Sequence, residues 1–342
     1  MKAAVLLAPE KIEIQEVPTP TIKPGEVLVK IKNCGICTLE QRLYAGAMKI
    51  FYPIIPGHEA AGEVVEVGAD VLSGITPGTR VAMDLVVRCD ECYFCRTGQS
   101  NLCANRFKNN KKVLGGFGEY MAVSASQVYP IPASLPYAES AFAEPLSCCI
   151  RSLKKVGLKL AEDLLVIGAG PMGQMHLQIG QLMGARVFVS DPDKARLAMA
   201  MKLGAFLTID PSTEDLVKIL KEHTDGRGVD ACVITSMAPV ALTTAFEAVN
   251  KGGRVNIYTS YTDKPPLPID ANTLHRNEVT VTGTEGRTES DFLAAVRLLS
   301  FGKVDVKPLI SKVVGYPSLE AGIKAAMTSD TYRVLLEQEG KA

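Results

Sequence analysis

Apolar positions come in two patterns along the chain. From Met1 to about Tyr129 they form short runs bounded by Gly and Pro. Val27-Leu28-Val29-Lys30-Ile31-Lys32 and Gly62-Glu63-Val64-Val65-Glu66-Val67-Gly68 both read as strands. Punctuation this frequent predicts a small β-rich barrel or sandwich with long polar connections. Near Glu144 the pattern changes. Glu144 to Lys155 reads as a helix with Pro145 in its first turn, where a missing N–H costs nothing. Strands at Leu164 to Ile167, Arg186 to Val189, Val229 to Ile234 and Arg254 to Tyr258 follow, with helices at Met172 to Met183 and Asp193 to Leu203. This alternation predicts an α/β fold with a doubly wound parallel sheet. After Gly283, a helix from Glu289 to Leu299 and two short apolar segments complete the pattern.

The length of 342 residues exceeds what one compact core usually supports, so two domains are expected. Lys plus Arg and Asp plus Glu both number 37, a balance that argues against a nucleic-acid or anionic-membrane partner. Met1-Lys2-Ala3-Ala4-Val5 is soon interrupted by Pro9 and Glu10, so no signal core develops, and no apolar run approaches the roughly 18 residues of a membrane span. A cytoplasmic protein is expected, with its thiols reduced. Nine cysteines in that setting point to metal before disulfides.

Gly168-Ala169-Gly170-Pro171-Met172-Gly173 follows an apolar strand and opens a helix. Its glycines serve a tight turn, close approach to a pyrophosphate, and close helix–strand packing. Asp191 ends the next strand, at the spacing of about 20 residues expected of a ribose-binding acid. A carboxylate there repels a 2′-phosphate, so NAD is favoured over NADP, while Arg196 keeps NADP open.

Cys89, Cys92, Cys95 and Cys103 share one polar loop with little apolar material. Four thiolates closing a tetrahedral set would supply the folding energy the loop lacks, as a structural zinc site. A second constellation is dispersed: Cys37, His58-Glu59, and Glu144 in Glu144-Pro145-Leu146. Mixed sulfur, nitrogen and oxygen donors are typical of catalytic zinc. Taken singly, Cys37 also fits a small buried hydrophobe, His58 a core histidine, and Glu144 a favourable acid at a helix start.

Together, Gly35-Ile36-Cys37, Gly57-His58-Glu59-Ala60-Ala61-Gly62-Glu63-Val64, the four-cysteine lobe, Glu144-Pro145-Leu146 and the glycine loop with its acid resemble the zinc-dependent medium-chain dehydrogenases, in their alcohol and polyol (sorbitol dehydrogenase-like) branch. The resemblance covers essentially the whole chain. It implies a GroES-like catalytic domain over residues 1–150, a Rossmann NAD-binding domain over 151–286, and a return segment, 287–342, completing the first. It implies one catalytic and one structural zinc per chain. Cys37 and His58 become catalytic zinc ligands, Glu144 the third, and Glu59 an adjacent acid able to enter the metal shell. A homotetramer is favoured over a dimer. Cys34, Cys148, Cys149 and Cys232 match no ligand position and read as packing residues.

One departure concerns the proton. Leu39 stands where the family carries Ser or Thr, and leucine relays nothing. Glu40 replaces the usual aspartate, and Arg42 a histidine often found at the outer end of the relay. Thr38, a water chain or a neighbouring substrate hydroxyl is left to carry the proton. The favoured reading is an oxidoreductase moving hydride between a secondary alcohol or polyol and NAD. A ketose or aldehyde reductase is the alternative, and a catalytically lapsed nucleotide- or zinc-binding protein a more distant one. His176 is expected to pack or face solvent, and His223 and His275 to lie on the surface. Met172, Met175, Met183, Met199 and Met201 are expected as core filler, and Lys108 to Lys112 as a solvated loop.

Overall fold

The computed structural model describes residues 1–48, 51–106, 114–261 and 264–338, so the basic run 108–112 lies outside the described residues. The chain forms two compact units, Met1–Ser147 with Arg287–Ala342, and Cys148–Gly286. No helix among the described residues is long and apolar enough to cross a membrane.

The first unit is organised around the strand Glu26–Ile36. Val27, Val29 and Ile31 are wholly buried along it, each worth about 1.5–3 kcal/mol of burial. This strand pairs antiparallel with Glu59–Val67, Tyr120–Ser124 and Arg333–Glu337. The sheet continues through Arg80–Met83 to Val128–Pro130 on one side and ends at Ile310–Val314 on the other. The two apolar segments near the end of the chain are thus strands of the first unit. A hairpin, Lys2–Ala8 with Lys11–Glu16, stands as a separate ribbon.

The second unit is a six-stranded parallel sheet in the order Leu207–Ile209, Arg186–Ser190, Asp163–Ile167, Val229–Ile234, Val249–Ile257, Thr280–Gly283. This is the doubly wound order expected of a dinucleotide fold. Its central strands read as unbroken apolar runs because both faces are covered. One strand departs from expectation. It begins at Val249 instead of Arg254, pairing first at Val249 and then, after a register shift that spans Gly252-Gly253, from Arg254 onward.

One further expectation changes, and the two readings left open for His176 narrow to one. Of the five methionines, only Met175 is buried; Met172, Met183 and Met199 are half-buried and Met201 is exposed. Helical spacing placed them near one face, but that face reaches solvent. His176 packs and does not face solvent. It is fully buried, bonds the Met172 carbonyl through Nδ1 at 2.8 Å, and sits edge-on to Tyr258. Its Nε2 has no hydrogen-bond partner among the described residues. Burial pushes its pKa from 6.5 down to about 4. The sign follows from proton uptake. Between pH 6.5 and 4 the unfolded chain binds a proton that the folded ring refuses, so stability is complete above 6.5 and falls as pH drops toward 4. The loss amounts to about 3 kcal/mol. Urea unfolding of His176→Leu against wild type should show a shallower acid decline in the variant; parallel curves would remove the histidine from the account. His223 and His275 are exposed, and Cys34, Cys149 and Cys232 are buried with Cys148 half-buried.

Candidate metal and cofactor sites

Cys37 lies where the central strand turns into the helix Thr38–Tyr44. Its sulfur accepts the Leu39 amide at 3.4 Å, and its own amide donates to Glu40 Oε2 at 3.1 Å. Cysteine thus fills the capping role usually given to serine or threonine. The same turn sets Glu40 Oε1 2.7 Å from His58 Nδ1. With a metal bound, that bond would keep the ring proton on Nδ1 and leave Nε2 as the electron-pair donor. Nε2 faces Cys37 Sγ at 3.7 Å. Metal bonds of about 2.0–2.3 Å in a tetrahedron put such a pair about 3.5 Å apart.

Glu59 opens its strand directly opposite Gly35. A Cβ on residue 35 would lie 2.0 Å from Glu59 Oε2, so glycine is what admits the carboxylate. Arg333 holds Glu59 Oε1 at 3.2 Å. The ligand atoms of Cys37, His58 and Glu59 all lie within 4.8 Å of one another. Glu144, in the first turn of the helix Ala143–Val156, lies at the edge of this group. Its Oε1 is 4.0 Å from His58 Nε2 and is also bonded by Arg287 Nη1. Thr38 is exposed and, among the described residues, has no hydrogen bond to this group, while Leu39 packs against the core.

The pocket is crowded with acids. Burial raises the Cys37 thiol, opposed by His58. Burial alone would push the His58 ring down, but Glu40 and then Cys37 outweigh it and hold it well above its ordinary range. Glu40 is lowered despite burial, chiefly by His58. Burial pushes Glu59 up to about 7 against the pull of Arg333. A buried excess of acidic donors around one imidazole fits a divalent cation.

The lobe brings Cys89, Cys92, Cys95 and Cys103 together as free thiols. Cys92 and Cys95 sulfurs are 3.6 Å apart, and Cys89 and Cys103 3.5 Å, far beyond a disulfide bond of about 2.05 Å. The Asn105 amide, 3.3 Å from Cys89, leads the effects that hold that thiol down to about 6. Burial, then the neighbouring sulfurs, push Cys95 up to about 12. Cys89 and Cys95 are thus pushed in opposite directions, and a divalent cation would supply the charge that favours thiolates at both. The lobe has two short helical turns, Tyr93–Arg96, which buries none of its residues, and Ser100–Leu102, which buries only the polar Ser100 and Asn101.

In the second unit, Asp163–Ile167 runs into the glycine loop, and Gly170 caps the helix Pro171–Leu182 with Pro171 at its first position and Met172 next. A Cβ on residue 173 would fall 1.9 Å from the Gly168 carbonyl, so Gly173 permits the tight strand–helix approach. Asp191 is buried and accepts from the Ala169 amide at 2.7 Å and the Asp193 amide at 2.8 Å, one on each oxygen. A carboxylate keeps further acceptor positions beyond these two. The Arg196 guanidinium lies beside Gly170, 3.6 Å from where a Cβ would stand.

Sequence reasoning passed over Asp84, Arg88, Arg287 and Arg333. Nothing local marks them; only the adjacency of Arg88 to Cys89 was a usable signal.

Residues 23–133 match the alcohol dehydrogenase GroES-like domain, and residues 171–300 match the zinc-binding dehydrogenases. The chain is 34% identical to L-threonine 3-dehydrogenase of Pyrococcus abyssi, over 94% of each chain. It is 32% identical to sorbitol dehydrogenase of Bacillus subtilis, over 91% of this chain and 89% of that one. A zinc-binding dehydrogenase from Sinorhizobium meliloti, solved bound to NADP, superposes with a TM-score of 0.91 at 28% identity over 98% of both chains. With a GroES-like unit, a doubly wound parallel sheet and these likenesses along nearly its full length, the chain belongs to the zinc-dependent medium-chain dehydrogenase family, whose cofactors are zinc and a nicotinamide dinucleotide.

Proposed function

We propose that this chain oxidises a secondary alcohol or polyol with NAD, using a zinc ion held by Cys37, His58 and a carboxylate. The observation that carries this reading is the convergence of Cys37, His58 and Glu59, with His58 fixed by Glu40. Glu59 completes the group with Cys37 and His58, and Glu144, 4.0 Å from His58 Nε2, is the carboxylate able to exchange with it. The four lobe cysteines hold a second, structural zinc. When bound, the catalytic zinc supplies Lewis-acid polarisation of the substrate oxygen, and the nicotinamide supplies the hydride acceptor. The chain's own part is to orient. Glu40 sets the ring, Arg333 and Arg287 hold the two acids, and Leu39 leaves the proton to water or a neighbouring substrate hydroxyl. The threonine and sorbitol relatives support a substrate with a secondary hydroxyl, which both of those compounds carry. The test is zinc stoichiometry together with NADH formation across a polyol, amino-alcohol and secondary-alcohol panel. Two zinc per chain with turnover is the expected result; zinc confined to the lobe, without turnover, would overturn it.

The preference for NAD rests on Asp191. In Asp191→Ser the kcat/KM ratio of NADP to NAD should rise by about tenfold or more, each tenfold being about 1.4 kcal/mol. An unchanged ratio would return the choice to Arg196. A second reading, carbonyl reduction, is favoured by the apolar side chain of Leu39; the ratio of kcat/KM in the two directions decides it. Assembly as a homotetramer belongs to the same proposal. The sheet of the second unit ends on Thr280–Gly283, an edge of the kind that pairs between copies, and sedimentation gives the count.

A further inference from the structure

A chain of charged groups runs through the first unit from the cysteine lobe to Glu144. Ser100, within the lobe, donates to Glu289 Oε2 at 2.5 Å. Glu289 Oε1 lies 3.0 Å from Arg88 Nε, close as charges although the N–H is not aimed at it. Arg88 Nη1 meets Asp84 Oδ2 at 2.8 Å, and its Nη2 donates to the Arg287 carbonyl at 3.0 Å. Asp84 Oδ1 takes Arg287 Nη2 at 2.7 Å and Nε at 3.1 Å. Arg287 Nη1 then closes on Glu144 Oε1.

Three properties make this a transmission line. Its middle is dry: Asp84, Arg88 and Arg287 are all buried, so no water stands ready to replace a lost partner. Its joints are stiff, because each guanidinium is a planar fork and Arg88 bonds Asp84 and the Arg287 carbonyl through its two terminal nitrogens while its charge lies beside Glu289. Its ends are the two candidate metal sites. Arg88 directly precedes Cys89, and Arg287 bonds the same Glu144 oxygen that faces His58. A shift of the lobe backbone at residue 88 therefore reaches the carboxylate.

We propose that Arg88 is a positioning residue through which the folded lobe sets Glu144, so that the site at Cys37 and His58 is fully formed only when the lobe is. The inference rests on the two-site reading above, and cobalt separates the two. In the cobalt-substituted protein, the four-thiolate lobe and the one-thiolate site differ in the strength of their sulfur-to-metal absorption. The affinity of each is read by chelator competition. Outer partners of metal ligands typically matter 10–100-fold in affinity. Arg88→Met should weaken the one-thiolate site by about tenfold or more with the four-thiolate band unchanged. Arg88→Lys should not rescue it, since an ammonium cannot hold all three partners. Glu289→Ala, at a half-exposed position that leaves the buried charges in place, gives the same direction if Arg88→Met does not fold. Equal cobalt affinity at the one-thiolate site in wild type and variants would overturn the relay alone. A wild-type protein taking up only the four-thiolate equivalent would overturn the two-site reading, and the relay with it.

Discussion

Cys37→Ser should lose at least about 10³-fold in kcat/KM while its NAD dissociation constant stays within twofold of wild type. The substitution removes the sulfur that faces His58 Nε2 but keeps a small polar side chain able to cap the helix Thr38–Tyr44. The Glu40–His58 bond survives, so the loss falls on polarisation of the substrate oxygen and not on folding. His58→Ala should be at least as inactive, but it strands Glu40, a buried carboxylate, at a cost of about 3–5 kcal/mol. Stability must therefore be measured beside activity for that variant. NAD titration by fluorescence reports on the second unit, where the glycine loop and Asp191 are untouched. A Cys37→Ser enzyme working within tenfold of wild type would end the proposal that this group holds the catalytic metal.

Cys92→Ser should lower the unfolding temperature by about 10 °C, with one zinc fewer per chain. The lobe has almost no apolar interior. Tyr93 is 73% exposed, and of the lobe's two helical turns one buries nothing and the other only Ser100 and Asn101, both polar. What joins its strands of loop is the four-sulfur cluster, so the metal's binding energy is the lobe's folding energy. The estimate takes several kcal/mol lost from a unit of this size, at about 2–4 °C per kcal/mol. Calorimetry with elemental analysis checks it, and reductant should leave the wild-type transition unmoved because the sulfurs are unbonded. An unchanged transition and metal content would return these cysteines to the status of ordinary thiols.

How much of this was legible beforehand depended on range. The parallel strands announced themselves because burial on both faces makes runs such as Leu164 to Ile167 uniformly apolar. The glycine loop was legible because its spacing encodes a local turn. The pieces of the dispersed site were each ambiguous, and only the family resemblance joined them; in the structure Cys37, His58 and Glu59 converge, with Glu144 Oε1 4.0 Å from His58 Nε2. The arginines were not legible. Arg287 meets Glu144 across 143 positions of sequence, and no local pattern distinguishes it from a surface arginine. The helices Leu216–His223 and Val240–Ala248 were missed because both are short; the second also lacks a capping side chain, while the first carries an Asp215 cap that sequence reasoning passed over. The methionines misled, since spacing tells which residues share a face but not whether that face is covered.

The central strand Glu26–Ile36 has one neighbour, Arg333–Glu337, that leaves the ribosome after nearly everything else described. During synthesis the first unit must wait, the Asn33–Ile36 end of its longest strand lacking one neighbour, while the whole parallel sheet is made and free to fold. Arg333, the partner of Glu59, travels on that late strand. A nascent chain stopped short of it lacks both the closing ladder and the cation that steadies an acid of the metal site. Assembly of the site is thereby tied to the synthesis of a strand that follows the whole parallel sheet.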